Sequence, residues 1–190
     1  NPDIVYAGAA TGGVWKSFDG GVTWKPIFDD QPVAAIGAIA IDRRNPSIVW
    51  VGTGEGNVRN SASVGNGIYR SLDGGESWTH LGLDGSERIH RIVLHPDDSE
   101  VAWVAALGRE WGENPERGIF KTTDGGRTWR KVLYVDEKTG GADVAIVEGS
   151  PIGRHSEGSR MSAPAASGIP PMSMFHPLKL SVGKVLGNRF

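Results

Sequence analysis

Cysteine is absent from all 190 positions. That removes disulfide scaffolds, thiolate zinc sites and cysteine nucleophiles from consideration. No apolar run approaches the ~18–20 residues that cross a bilayer as a helix, so no membrane span is expected. Basic excess is missing too: 20 Lys and Arg stand against 22 Asp and Glu, with no basic block to track a phosphate backbone, which argues against a nucleic-acid partner. Sustained 3.6-residue periodicity is lacking, and with it the signature of a helical bundle. In abundance instead are glycine, at 28, and tryptophan, at 7, the mixture of tight turns and aromatic wedges that suits an all-β repeat.

One eight-residue phrase occurs three times: Ser17-Phe-Asp-Gly-Gly-Val-Thr-Trp24, Ser71-Leu-Asp-Gly-Gly-Glu-Ser-Trp78 and Thr122-Thr-Asp-Gly-Gly-Arg-Thr-Trp129. It is either a catalytic or metal-binding loop in triplicate or a structural joint. The surrounding sequence decides for the joint. Tyr6, Trp50 and Trp103 hold matching places in three longer units, at spacings of 44 and 53 residues, which suit a four-stranded propeller blade. The second unit reads as strands over 36–42, 48–52, 67–71 and 78–81, and the third as 89–95, 101–105, 118–122 and 129–134, each rich in β-branched and aromatic residues. The first unit lacks its inner strand, and 142–146 reads as the start of a fourth unit.

The phrase therefore joins the third strand of each unit to the outer one. Asp19, Asp73 and Asp124 can accept hydrogen bonds from nearby backbone N–H groups, while Gly21, Gly75 and Gly126, with the glycines before them, tolerate positive φ. Ser17, Ser71 and Thr122 can satisfy further turn groups. Trp24, Trp78 and Trp129 are expected to wedge under their own turns. This motif resembles the Asp-box, or BNR, repeat of sialidases, xyloglucan-active glucanases and sortilin-type receptors. The longer stretches Gly52-Thr-Gly-Glu-Gly-Asn-Val-Arg-Asn-Ser61 and Ala105-Ala-Leu-Gly-Arg-Glu-Trp-Gly112 resemble bacterial proteins with a sortilin-like propeller. The resemblance implies an all-β fold of about three four-stranded antiparallel blades in an incomplete ring, with the boxes away from the functional face and the protein secreted or periplasmic.

Loops joining second to third strands, and outer strands to the next inner strand, share that functional face in a propeller. Two of them are long, and long connections are where binding residues are built. They hold Glu55, Asn57, Arg59, Asn60, Arg109, Glu110 and Trp111, a mixture of carboxylates, amides, guanidinium groups and an indole suited to glycan or peptide recognition. The alternative is internal: Glu55 and Glu110 pair with Arg59 or Arg109 to tie the loops together, and Trp111 caps the core. Glu55 and Glu110 are the only candidates for a catalytic carboxylate pair, which hydrolysis of a glycosidic bond requires. His90, reaching the same face, is expected to be an ordinary hydrogen-bonded side chain. No metal site and no cofactor is expected, because the histidines match no ligand spacing.

Two readings concern organisation. The opening Asn1-Pro2-Asp3 already reads as mid-repeat, so the chain is expected to be an internal piece whose remaining blades act as its partners. Residues 1–147 form the propeller portion, whereas 148–190 depart abruptly from the repeat through Gly, Ser, Pro and Ala and read as a flexible or frame-shifted tail.

Overall fold

In the computed structural model, residues 1–57 and 61–146 are described, and among them the chain forms three antiparallel sheets. The first contains β1 (Val5–Ala9), β2 (Gly13–Ser17) and β3 (Lys25–Pro26). The second contains β4 (Ile36–Ile41), β5 (Val49–Thr53), β6 (Ile68–Ser71) and β7 (Thr79–His80). The third contains β8 (Ile89–Leu94), β9 (Ala102–Ala106), β10 (Gly118–Thr122) and β11 (Arg130–Leu133). Each strand pairs with its chain neighbour, so every sheet is a meander. The only helical element among the described residues is one 3-10 turn, Asp84–Ser86. The fold is all-β, and three blades leave the ring incomplete.

The ladders confirm the repeat at single-residue resolution. Gly8 pairs with Val14, Gly52 with Ile68 and Ala105 with Ile119, so these positions are equivalent. Inner strands β4 and β8 each slip register near their start, between Ile36 and Ala38 and between Ile89 and Arg91. A bulge at that point turns the inner strand and increases its twist.

Sheets pack face to face through their apolar sides, giving one core cluster per interface. Val14, Phe28, Ile36, Val51 and Tyr69 fill the space between the first and second sheets, with Phe28 meeting Tyr69 and Trp78 edge-on, both at 5.1 Å. Between the second and third lie Trp50, Ile68, Ile89, Ile92 and Val104, against which Trp129 packs. Close approach depends on glycine. A methyl group at Gly8 would lie 2.6 Å from Ile36 Cγ2, and one at Gly52 would lie 2.4 Å from Ile89 Cγ2.

Two expectations are revised. The outer strand of the second sheet is shorter than 78–81, because Trp78 leaves the ladder to pack against the first sheet. Residues 142–146 form no strand among those described, although Val144 is fully buried with Trp103, Ala105 and Ile119. A strand needs a ladder partner, and none of the described residues supplies one. The expected tail, 148–190, lies outside the described residues.

Candidate ligand-binding face

The repeated turns can be assigned first, because their carboxylates are fully engaged. Asp19 Oδ1 accepts from Ser17 Oγ at 2.7 Å, Thr23 N at 2.9 Å and Val22 N at 3.1 Å, and Oδ2 accepts from Thr23 Oγ1 at 2.6 Å. Asp73 and Asp124 repeat this with Ser71 and Ser77, and with Thr122 and Thr128. Hydrogen bonds to the ionised form, led by the hydroxyls of Thr23 and Thr128, hold Asp19 and Asp124 down at about 2, and Ser77 lowers Asp73 further still. Such groups remain charged and occupied at neutral pH. The glycine pairs sit at positive φ, for example 71° and 97° at Gly74 and Gly75, as the turn requires.

The tryptophans do more than wedge under their own turns. Trp78 Nε1 donates to the Ile27 carbonyl at 2.7 Å and Trp129 Nε1 to Leu81 at 2.8 Å, each on the outer edge of the preceding sheet. Trp24 has no preceding sheet among the described residues, and its Nε1 folds back to Gly21 O at 2.9 Å.

At the other end of the sheets the connections β5–β6, β7–β8 and β9–β10 converge. Gly65 N donates to Glu87 O at 2.7 Å, Leu107 N to Arg88 O at 3.0 Å, and Asn114 Nδ2 to Gly85 O at 3.0 Å. Glu55, Glu110, Arg109, Trp111 and Asn57 are all carried by these connections. Arg59 and Asn60 lie outside the described residues.

Pairing within this cluster differs from expectation. Glu110 does not pair with Arg109. Its Oε2 lies 3.7 Å from Nη1 of the buried Arg88, with Glu110 itself partly buried, whereas Arg109 Nε donates to Glu87 Oε1 at 3.0 Å. The reason is topological: Arg88 rises from beneath the loop, its Nε fixed on Gly108 O at 2.8 Å, while Arg109 points outward. Glu55 is buried and binds back on its own loop, accepting from Ser63 N at 3.2 Å. His90 is not hydrogen-bonded at Nδ1, which is buried against Gly56, where a methyl group would come within 2.2 Å.

Trp111 does not cap the core; it is 66% exposed. Arg117 explains this. Its Nη1 donates to Leu107 O at 2.5 Å and its Nη2 to Arg109 O at 2.6 Å and Gly112 O at 3.0 Å. With Gly108 and Gly112 at positive φ, the loop is wound around one buried guanidinium and Trp111 is left at its crest. Burial, then the nearby Arg88, lowers the Arg117 pKa. Arg117 was visible in the sequence only as the residue before Gly118, and no local pattern marked it as the loop's anchor.

A separate cavity of about 400 Å³ lies along the inner strands, lined by Ala40, Ile41, Arg43, Arg91, Val93 and His95. It is away from the loop cluster. Among the described residues no group of three His, Cys, Asp or Glu could hold a metal, and no helix is long and apolar enough to cross a membrane.

Three meander sheets, each with an Asp-box turn between its last two strands and with the long loops gathered at the other end, define a propeller of the BNR, sortilin-like class. The family described as "Sortilin, neurotensin receptor 3" (Sortilin-Vps10) matches residues 12–142, and the chain belongs to it. It is also similar to a xyloglucanase of a Paenibacillus species, at 27% identity over 144 residues, covering 68% of this chain and 13% of that protein. Xyloglucanase Xgh74A of Acetivibrio thermocellus is likewise 27% identical over 143 residues, covering 68% and 16%. The crystal structure of a GH74 enzyme of Niastella koreensis superposes with a TM-score of 0.52 at 27% identity, covering 68% and 19%. The chain is thus a glycoside-hydrolase-related propeller portion, spanning less than a fifth of each of these relatives.

Proposed function

We propose that the loop face binds a polymeric glycan. Trp111 provides the stacking plate, Asn57 and Arg109 on the same face offer hydrogen-bonding groups, and Arg59 and Asn60 are assigned the same role from the sequence alone. One observation carries this reading: a largely exposed indole stands on a loop wound around the buried Arg117. An aromatic presented on a loop whose backbone is already anchored costs less ordering on stacking against a sugar ring, which favours affinity. The xyloglucanase relatives support glycan over peptide as the ligand. By likeness to the xyloglucanase relatives, whose polysaccharide lies outside cells, the protein is read as secreted or periplasmic, with residues 1–147 as the binding portion, 148–190 outside it, and further blades completing the ring.

Hydrolysis is the second reading, favoured by the same relatives. It needs two carboxyls about 5–10 Å apart, one of them able to donate a proton. Glu110, tied to Arg88, and Glu55, folded onto its own loop, are suited to positioning rather than to proton transfer. A catalytic pair would then be completed by other blades.

The test is calorimetric titration with xyloglucan oligosaccharides and with a control peptide, repeated with Trp111→Ala. A roughly tenfold loss of glycan affinity, about 1.4 kcal/mol, is expected. Unchanged affinity, or preference for the peptide, would refute the reading. Turnover of polysaccharide that Glu55→Gln or Glu110→Gln abolishes, with folding intact, would establish hydrolysis instead.

A further inference from the structure

Two non-glycine residues among those described take positive φ, and both lie in the β7–β8 connection on the loop face. Leu83, at φ 62° and ψ 30°, sits in the left-handed well that other residues visit at modest cost. Glu87 does not. At φ 54° and ψ −34° it lies outside the regions ordinarily open to a residue that carries a Cβ.

The fold uses Glu87 chiefly through its backbone. Its carbonyl accepts from Gly65 N at 2.7 Å and stands so close to Gly54 that a methyl group there would lie 2.0 Å from it. A glycine at position 87 would supply the same carbonyl without strain. Among the described residues the side chain has one hydrogen-bonding partner, Arg109 Nε at 3.0 Å. That arginine is 55% exposed, and an ion pair so open to water contributes less to stability than the strained backbone costs. The carboxylate also favours the charged form of Arg117, but burial and Arg88 outweigh it there. A side chain held at a net cost in stability points to use rather than to packing.

What the pair leaves open is a donor and an acceptor side by side. Among the described residues nothing donates to Glu87 Oε2, and nothing accepts from the terminal nitrogens of Arg109. Both backbones are anchored: Arg109 O accepts from Arg117 Nη2 at 2.6 Å, as Glu87 O does from Gly65. Trp111 follows Arg109 by two residues, so their Cα atoms are at most about 7 Å apart.

We propose that Glu87 and Arg109 together read two adjacent hydroxyls of a neutral sugar ring stacked on Trp111, an inference that rests on the glycan reading above. One hydroxyl donates to Glu87 Oε2 while its neighbour accepts from an Arg109 Nη group. Hydrogen bonds with one charged member are stronger than neutral ones. The carboxylate also sets selectivity, because it repels an acidic sugar and offsets the arginine that would otherwise attract one.

Titration calorimetry with neutral xyloglucan oligosaccharides and with anionic oligogalacturonate, together with melting temperatures, tests this on the full 190-residue chain. Glu87→Gly relieves the backbone and melts no lower than the wild type, yet loses xyloglucan affinity about tenfold. Glu87→Gln keeps the shape and an acceptor but removes the charge, so its preference shifts toward oligogalacturonate. A Glu87→Gly variant that binds xyloglucan like the wild type, or melts well below it, overturns the proposal. So does a Glu87→Gln variant whose preference between the two saccharides is unchanged. Trp111→Ala separates the two levels. Xyloglucan binding that depends on Trp111 but not on Glu87 removes this inference alone, whereas a wild type that binds no xyloglucan removes the glycan reading with it.

Discussion

Gly52 and Ile89 meet so closely across the second sheet interface that a methyl group on the glycine would lie 2.4 Å from Ile89 Cγ2. Gly8 and Ile36 repeat the pairing at the first interface. At the third, Ala105 holds the glycine's place and the smaller Val144 packs in the same cluster. The two sides exchange volume: a larger residue on the second strand goes with a smaller one in the segment packed against it.

Gly52→Ala is expected to destabilise the chain by about 1–3 kcal/mol through overpacking. Ile89→Val alone costs about 0.5–1.5 kcal/mol. Combined, they reproduce the Ala–Val arrangement of the third interface and should cost less than their sum. Urea unfolding of the four proteins measures the coupling, and strict additivity would contradict the close-packing argument.

Asp73→Ala leaves the Ser77 amide and two hydroxyls without their acceptor. Because Ser77 is exposed, water replaces part of what is lost, and the expected cost is about 1 kcal/mol. Glycan affinity should not change, since the turn is at the opposite end of the sheet from Trp111. Thermal unfolding together with the oligosaccharide titration checks both halves.

Acid should weaken the fold in a defined window. Asp19 and Asp124 titrate at about 2 in the folded chain against an ordinary value of 3.8, and Asp73 is lowered as well. Depressed folded values mean that the stabilisation is fully present above about pH 4 and is lost as pH falls toward 2. Melting temperatures between pH 6 and pH 2 should decline mainly below pH 4, and Asp73→Asn should flatten that decline.

Arg117→Met keeps the apolar stem but removes the donors to Leu107, Arg109 and Gly112. Faster amide exchange confined to 108–112 and weaker glycan binding are expected, with the sheets unaffected. Arg117→Lys should not rescue, because a single ammonium cannot span three carbonyls as the guanidinium does. Hydrogen-exchange mass spectrometry separates this local effect from global unfolding.

Legibility in the sequence followed the range of each interaction. Every Asp-box contact of Asp19 closes within four residues, so the turn chemistry was readable from Ser-x-Asp-Gly-Gly-x-Thr-Trp alone. The strands followed from the β-branched runs around those turns, and the missing inner strand of the first sheet from the alignment of the repeats. The two long connections were legible because length itself marks them, and the structure brings them together at one end of the sheets.

Side-chain partners were another matter. Reading along the chain favours neighbours in the same or matching loop, and so pointed Glu110 toward Arg109 and Trp111 toward the core. The fold instead brings Arg88 up from the adjoining connection, 22 residues before Glu110 in number, and winds the loop around Arg117. Trp78 reaches Ile27 across 51 residues and Lys16 reaches Gly74 across 58. Sequence determined the repeat, its turns and its strands because those hydrogen bonds are local. Only the stacking of sheet on sheet decided which charges meet, which tryptophan is latched and which is presented, since those contacts join residues that no spacing rule connects.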